Sequence, residues 1–165
     1  RHRGLFGAAW AVGVLAATQG SAVEALCLAA PTGPFGIIYS RQHYPQLGYD
    51  DDNAVVYPLY HVVLAACQMQ GAPRLSFNGL PDAIAAYGVY QQSEHNVILA
   101  NVSDKSITVP LAHPAAIVVL NSVNVEHAVA DADWLDNAQL RTETQLELDP
   151  FAVVFATWST RNEGT

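Results

Sequence analysis

The sequence predicts the closing units of a β/α architecture followed by an antiparallel β-sandwich. Up to about residue 70, apolar runs of helix length alternate with an apolar run of strand length. From Arg74 onward, short runs with alternating or β-branched residues recur at roughly ten-residue spacing. This change in pattern places a domain boundary near residues 71–75, so we assign residues 1–72 and 73–165 to two domains.

The first predicted element is a helix over Leu5–Ala17, "LFGAAWAVGVLAA", which is apolar nearly all round. A helix without a polar face is typical of a buried position rather than of a protein surface. Gln19-Gly20 provides its C-terminal stop, because glycine commonly follows the last helical turn. The sequence therefore predicts a buried helix at the start of the chain.

A strand and a second helix are predicted next. Ala22–Ala29 is an apolar run of strand length, which suits a strand of a parallel sheet that is covered on both faces. Pro31-Thr32-Gly33-Pro34 ends this run and opens a long polar loop. Pro58 fits the first turn of a helix that runs to about Gln70, where Gly71 ends it.

The second half of the chain has the pattern of an antiparallel β-domain. Asn101–Lys105 is predicted as a hairpin loop, because Asn, Ser and Asp side chains bond to nearby backbone. Leu146 and Leu148 alternate with polar residues, so their strand has one solvent-facing side. The predicted strand segments cover residues 83–92, 96–103, 106–111, 115–122, 144–149 and 151–159.

Composition excludes several kinds of partner. The net charge is −8 and only 7 residues are Lys or Arg, which argues against nucleic acid and against an anionic membrane surface. The apolar run over Leu5–Thr18 is too short to span a bilayer. Only 13% of residues are charged, which indicates that another part of the protein, or another chain, covers apolar surface. The chain begins at Arg1, so we expect part of a longer or processed chain, and a cytoplasmic location.

The residues that bind metals or act as nucleophiles show no site pattern. Cys27 and Cys67 lie in apolar runs, so we expect both to be buried, with pairing or reactivity as the alternative. The histidines lack metal-ligand spacing, and we expect no metal and no cofactor. Glu94-His95 and Glu126-His127 are interpreted as surface polar residues, since adjacent strand residues face opposite ways. His61 is predicted to be a core or interface histidine bonded to a backbone carbonyl.

Two polar motifs are interpreted as loops. Asp50–Asp52 lacks the spaced oxygens and the glycine of a calcium loop, so it is predicted to be solvated. Asn101-Val-Ser103 matches a glycosylation acceptor, but it is interpreted as a turn. No nucleophile elbow, P-loop or dinucleotide-binding motif occurs in the sequence.

Four stretches carry a family resemblance: "RGLFGAAWAVGVLAA", "PTGPFGIIY", "VVYPLYHVVLAAC" and "VILANVSDKSITVPL". Together they resemble the C-terminal part of the D-apionate lactonase family. Those proteins are built like clan-A glycoside hydrolases, with a TIM barrel followed by a small β-sandwich. The resemblance implies that residues 1–70 are the last helix, strand and helix of a barrel. It also implies that residues 75–160 are the sandwich.

The resemblance also identifies a missing acid. The last barrel strand of the family ends in Glu-Thr-Thr-Gly, and the matching positions here are Ala30, Pro31, Thr32 and Gly33. Thr32 and Gly33 match, whereas Ala30 replaces the glutamate. The resemblance therefore assigns no catalytic residue within this chain.

The leading hypothesis is the C-terminal portion of a bacterial carbohydrate-active hydrolase that acts on a sugar lactone or glycoside. The isolated chain is expected to be inactive, because its catalytic groups would lie on other barrel strands. The expected partners are a sugar-derived small molecule and the N-terminal barrel portion, or another chain covering the apolar surface. The predicted substrate contacts are Thr32, Gly33, Tyr39, His43 and Tyr44, with Tyr49 in the same loop.

Two alternatives remain open at this point. One is a non-catalytic member, a pseudoenzyme or carbohydrate-binding module, which the alanine at position 30 favours. The other is a structural β-sandwich module that mediates oligomerisation through Trp134 and Trp158. Packing in the core or at the sandwich edge is the simpler interpretation of these two tryptophans.

Overall fold

The computed structural model describes residues 2–41, 43–45 and 53–159 of the chain. Tyr49 and the Asp50–Asp52 loop lie outside these residues. The helices are α1 (Leu5–Ala17), α2 (Pro58–Gln68), α3 (Val125–Ala130) and α4 (Trp134–Asn137). The strands are β1 (Ile84–Gln91), β2 (Glu94–Asn101), β3 (Ile107–Leu120), β4 (Arg141–Leu148) and β5 (Val153–Ser159).

Helix α1 begins and ends at the predicted residues. Its small residues let it pack closely, and Ala8 and Val12 are fully buried. The core cluster around α1 also contains Leu59 of α2 and Ile98 of the sheet. Trp10 on the opposite side is 52% exposed. The prediction of a buried helix is therefore confirmed for most of its circumference, with one apolar side left uncovered.

The predicted strand Ala22–Ala29 does not form. Residues 22–28 have no regular secondary structure, and their side chains are exposed except at Leu28. The physical reason is that a parallel strand needs hydrogen-bonding neighbours on its edges. The described residues supply no such neighbour for this segment. An apolar segment with the composition of a buried strand is therefore left on the surface.

The structure confirms the predicted helix α2. Pro58 occupies the first helical turn after Tyr57, and the helix ends at Gln68, shortly before Gly71. Its buried residues include Leu59, His61 and Val62. Leu59 and Val62 join α1 and one face of the sheet in a single core cluster. The division into domains 1–72 and 73–165 stays a prediction, and the two parts share this core.

Residues 84–159 form a five-stranded antiparallel sheet in the order β1-β2-β5-β3-β4. Strand β2 pairs with β1 and β5, and β3 pairs with β5 and β4. The hairpin predicted over Asn101–Lys105 is therefore wrong, because β5 lies between the two strands that this turn connects. Strand order depends on contacts distant in sequence, which the turn residues do not encode.

Strand β3 unites two segments that the sequence analysis separated. It runs over 14 residues, and its register with β4 shifts between Pro110 and Ala115. Residues 107–110 pair only with β4, whereas residues 118–120 pair only with β5. Irregularities of this kind bend a strand and let it pass from one layer of a sandwich to the other. The irregularity thus separates the part of β3 that pairs with β4 alone from the part that reaches β5.

The second core lies on the sheet face opposite α1. Val97, Ile117 and Val154 belong to it, together with Leu146 and Leu148 of β4. The two leucines are at most 2% exposed, and the polar residues between and beside them are exposed. The predicted alternation of β4 is confirmed.

Helices α3 and α4, which the sequence analysis did not predict, connect β3 to β4. The carbonyl oxygen of Val129 accepts hydrogen bonds from the backbone N–H groups of Val55 (2.9 Å) and Val56 (3.1 Å). Trp134 is only 6% exposed, which places it in the core rather than at an interface. These short helices attach the β-domain to the loop that precedes α2.

Candidate functional site

The loop that follows residue 29 is closed by its own backbone. The N–H of Ala30 donates to the carbonyl oxygen of Phe35 at 3.0 Å, and the N–H of Ile37 returns to Ala30 at 3.1 Å. Ile38 forms an antiparallel bridge with Val56, just ahead of α2. The loop is therefore fastened both to itself and to the start of the second helix.

Two glycines make this closure possible. Gly33 has a φ of +91°, in the region that side chains disfavour. A Cβ on Gly36 would lie 2.5 Å from the carbonyl carbon of Thr32, closer than packing allows. The N–H of Gly33 donates to the hydroxyl of Ser40 at 3.2 Å. The Thr-Gly turn is thus shaped by close backbone approach, and Ser40 ties its far side.

Tyr39 is held in place by its neighbours. Its ring lies 5.9 Å from the ring of Tyr57 in an edge-to-face arrangement, and its N–H donates to Val55 at 2.9 Å. The side chain is half-buried. Ser40, the next residue, accepts the hydrogen bond from Gly33, so the backbone beside Tyr39 is tied to the Thr-Gly turn.

His43 and Tyr44 are positioned differently. Both are exposed, and Tyr44 is 87% exposed. The guanidinium of Arg3 donates to the backbone carbonyl of Tyr44 at 3.1 Å, which fixes backbone rather than ring. In the described part of the chain, neither side chain bonds to another predicted contact. The structure thus places both rings at the surface, and their role as substrate contacts stays a prediction.

The loop carries no acid. Ala30 is exposed, and its methyl group has no proton to exchange. Among described residues before Asp82, Glu24 is the only acidic one. Glu24 lines a groove beside α2 instead of the Thr-Gly turn. A general acid or base is consequently missing from the part of the loop that the structure describes.

The groove beside α2 corrects the prediction for the cysteines. Cys27 and Cys67 are exposed free thiols, not buried ones. Both line a cavity of about 600 Å³ between residues 24–29 and α2. They are exposed because the apolar segment forms no strand and does not close over the helix. Apolar sequence context predicted burial, but no packing partner covers the described segment.

His61 confirms its prediction. It is fully buried, and its Nε2 lies 2.8 Å from the carbonyl oxygen of Ala128. Since a carbonyl only accepts, Nε2 carries the proton. The ring packs edge-on against Trp134 at 5.1 Å and Tyr60 at 5.4 Å. The hydrogen bond from His61 to Ala128 joins α2 to α3. Nδ1 of His61 has no hydrogen-bond partner among the described residues.

The charge state of His61 follows from its burial. Burial lowers the pKa of His61 below its ordinary value of 6.5. The hydrogen bond to Ala128 and the charges of Asp131 and Asp136 oppose this effect without overcoming it. The imidazole is therefore neutral near pH 7 and serves as a structural donor.

His95 is half-buried in a row of aromatic rings, whereas Glu94, Glu126 and His127 are exposed, as the surface interpretation predicted. It is stacked on Trp158 at 5.1 Å with an interplanar angle of 6°, and Tyr90 lies 5.0 Å away. The three residues are register partners across β1, β2 and β5. The stacked faces of His95 and Trp158 cover each other. This row therefore stabilises the sheet, as aromatic cross-strand pairs do.

The described residues contain neither a candidate membrane span nor a candidate metal site. No helix in the described ranges is both long and apolar enough to cross a membrane. The same residues contain no group of three or more His, Cys, Asp or Glu side chains arranged to hold a metal ion.

The fold defines the class of the protein: a short helical part followed by a β-domain with a five-stranded antiparallel sheet. Residues 1–71 match the TIM barrel domain of D-apionate lactonase, and residues 81–156 match its C-terminal immunoglobulin-like domain. The chain belongs to the D-apionate lactonase family. A complete (β/α)₈ barrel takes about 250 residues, so the matched 71 residues hold only part of one.

Several solved structures are distantly similar. A GH30 endoxylanase from Clostridium papyrosolvens C71 is 10% identical, with a TM-score of 0.46 over 64% of this chain and 28% of that chain. The isomaltulose synthase from Protaminobacter rubrum is 14% identical, with a TM-score of 0.42 over 62% and 17% of the two chains. A mutant isomaltulose synthase from Erwinia rhapontici NX5, solved with sucrose, is 12% identical, with a TM-score of 0.43 over 65% and 18%.

The chain therefore spans less than a third of each of these structures. At such identities and scores the similarity carries no information on substrate. None of the curated proteins matches the chain significantly.

Proposed function

We propose that the protein contributes the last β/α units and the β-sandwich of a hydrolase that acts on a sugar lactone or glycoside. The observation that carries this proposal is the ordered match of residues 1–71 and 81–156 to both domains of D-apionate lactonase. In β/α barrels the active site lies at the C-terminal ends of the strands. The loop over residues 30–38 follows the segment whose composition is that of a barrel strand.

The proposed substrate contacts are Thr32, Gly33, Tyr39, His43 and Tyr44. Thr32, His43 and Tyr44 are exposed and carry groups that hydrogen-bond sugar hydroxyls. Tyr39 offers the free part of a ring that Tyr57 holds in place. Gly33 acts through the shape of the turn, since its N–H is already bonded to Ser40.

The catalytic acid and base in this proposal come from other barrel strands. The loop has Ala30 where the family resemblance implies a glutamate, and Glu24 lines the groove beside α2. The apolar residues Val23, Leu26 and Phe35, each at least 42% exposed, are the surface that the preceding β/α units cover. The isolated chain is therefore inactive, its partner is the remainder of the barrel, and the whole protein is cytoplasmic.

The test compares the 165-residue chain with the same chain extended by its upstream β/α units. Hydrolysis of the lactone of D-apionic acid and of nitrophenyl glycosides is followed by acid release and by absorbance. We expect activity only in the extended chain, where Tyr44→Phe lowers kcat/KM about tenfold, the equivalent of about 1.4 kcal/mol. The matched control is Tyr90→Phe, on the sandwich. Turnover by the 165-residue chain alone would refute the proposal that the catalytic acid and base come from other barrel strands.

One observation favours a second candidate function, a carbohydrate-binding protein without turnover. Ala30 removes the strand-end acid from a loop that otherwise keeps its Thr-Gly turn. In that case the extended chain binds aldonates and lactones in calorimetry, binding weakens in Tyr44→Phe, and no product forms. Measured turnover in the extended chain excludes this candidate.

A further inference from the structure

A polar cleft lies on the β-domain, between the β3–β4 pair and the connection formed by α3 and α4. Its volume is about 420 Å³, within the range of small-molecule sites. Val118 and Trp134 provide apolar lining. The polar lining includes His127 of α3, Asn137 at the end of α4, Gln139 in the link between α4 and β4, and Arg141, the first residue of β4.

The polar side chains of this cleft are unengaged. Among the described residues, none of the four polar side chains just named forms a hydrogen bond or an ion pair. The neighbouring asparagines differ: Asn124 donates to the carbonyl oxygen of Val119 at 2.6 Å, and Asn121 accepts from Val123 at 3.0 Å. The side-chain amides of Asn121 and Asn124 thus bond within their own turns, whereas the four side chains just named are exposed at the cleft.

Charge narrows the choice of ligand. Arg141 is one of only seven Lys and Arg residues in a chain of net charge −8, yet no described carboxylate pairs with it. A guanidinium binds a carboxylate through two parallel hydrogen bonds. Asp131, also in the lining, accepts from the N–H of Asp133 through Oδ1 and retains acceptor capacity for hydroxyl donors.

We propose that this cleft binds a small hydroxylated carboxylate. Arg141 takes the carboxylate, and Asn137, Gln139 and Asp131 take the hydroxyl groups. A single cation suits one carboxylate better than a polyphosphate, which needs several donors and positive charges. The site shares no residue with the loop contacts at Thr32–Tyr44, so it exists whether or not the protein hydrolyses lactones.

The probe is sodium D-gluconate, titrated into the 165-residue chain by isothermal calorimetry. D-sorbitol lacks the carboxylate and acetate lacks the hydroxyls, so both are expected to bind at least tenfold more weakly. Arg141→Gln is expected to weaken gluconate binding at least tenfold, with a smaller loss in Arg141→Lys. Lys105→Gln, which removes a positive charge outside the cleft, is expected to leave binding unchanged.

Further variants locate the site. Asn137→Ala is expected to weaken gluconate binding severalfold, and Asn78→Ala, at an exposed asparagine outside the cleft, is expected to leave it unchanged. Arg141 is exposed, so Arg141→Gln should keep the wild-type Tm and near-ultraviolet circular dichroism. The proposal is overturned if gluconate binding is absent from the wild type, equals sorbitol binding, or survives Arg141→Gln.

Discussion

The side-chain amide of Asn101 donates a hydrogen bond of 3.1 Å to the carbonyl oxygen of Leu148. The two residues end β2 and β4, strands that are separated by β5 and β3 in the sheet. The same amide nitrogen lies 2.7 Å from the carbonyl oxygen of Lys105 and 3.0 Å from that of Asp149. One fully buried side chain thus holds together two turns at one end of the sandwich.

Asn101→Ala is expected to lower the free energy of unfolding by about 3 kcal/mol, because buried carbonyls lose their donor. Urea unfolding followed by circular dichroism measures the change. The control is Asn78→Ala, at an exposed asparagine, which is expected to cost less than about 0.5 kcal/mol. Equal stability of the two variants would contradict the role assigned to Asn101. Its burial also keeps the Asn101-Val-Ser103 acceptor closed in the folded protein.

His61 predicts a pH dependence of stability. The pKa of His61 is lowered by folding, so the unfolded chain binds the proton first as pH falls below 6.5. The free energy of unfolding therefore declines from about pH 6.5 downward and is insensitive to this group above that pH. Denaturant midpoints between pH 8 and pH 5 measure the effect. His61→Gln should flatten the decline, whereas the exposed His113→Gln should leave it intact.

Two glycines of α1 predict opposite outcomes for one substitution. A Cβ on Gly7 would collide with the carbonyl oxygen of His2, whose ring packs on Phe35 of the loop at 5.7 Å. A Cβ on Gly13 would meet only Val102 at 3.8 Å, an ordinary contact. Gly7→Ala should destabilise by about 1–3 kcal/mol. Gly13→Ala should stabilise by about 0.5–1 kcal/mol.

Thermal unfolding of both glycine variants, recorded beside the wild type, measures these shifts. A Gly7→Ala protein as stable as the wild type would contradict the close approach of His2 to α1.

The two cysteines predict a thiol count. Because Cys27 and Cys67 are exposed, Ellman's reagent should titrate two thiols in the native chain without denaturant. Cys27→Ser and Cys67→Ser should each remove one. If the upstream β/α units cover the groove, as the proposed function requires, reaction in the extended chain should slow at least tenfold. Fewer than two reactive thiols in the native 165-residue chain would contradict the exposure of the groove.

Helices α1 and α2 could be predicted because their signals are local. The apolar composition predicted the first helix. Pro58 and Gly71 predicted the limits of the second helix to within two or three residues. Helices α3 and α4, of 6 and 4 residues, are too short to show a periodic pattern. They are held by tertiary contacts, such as the bond from His61 to Ala128.

The candidate site also has one part that the sequence predicted and another that it did not. The Thr32-Gly33 turn was predictable, because proline and glycine specify tight backbone geometry within a few residues. The bond from Gly33 to Ser40 and the ring contact of Tyr39 with Tyr57 join residues that the sequence leaves apart. The polar cleft was missed because its side chains come from three elements, two of them unpredicted.

The sequence by itself determined the family, the order of a helical part and a β-domain, and the alternation of β4, since each rests on composition or short-range pattern. Only the tertiary structure decided the strand order, the joining of two predicted segments into β3, the exposure of Cys27 and Cys67, and the burial of Asn101. These features depend on which distant segments pack together. A segment such as residues 22–28, with the composition of a buried strand, stays on the surface where no described neighbour pairs with it.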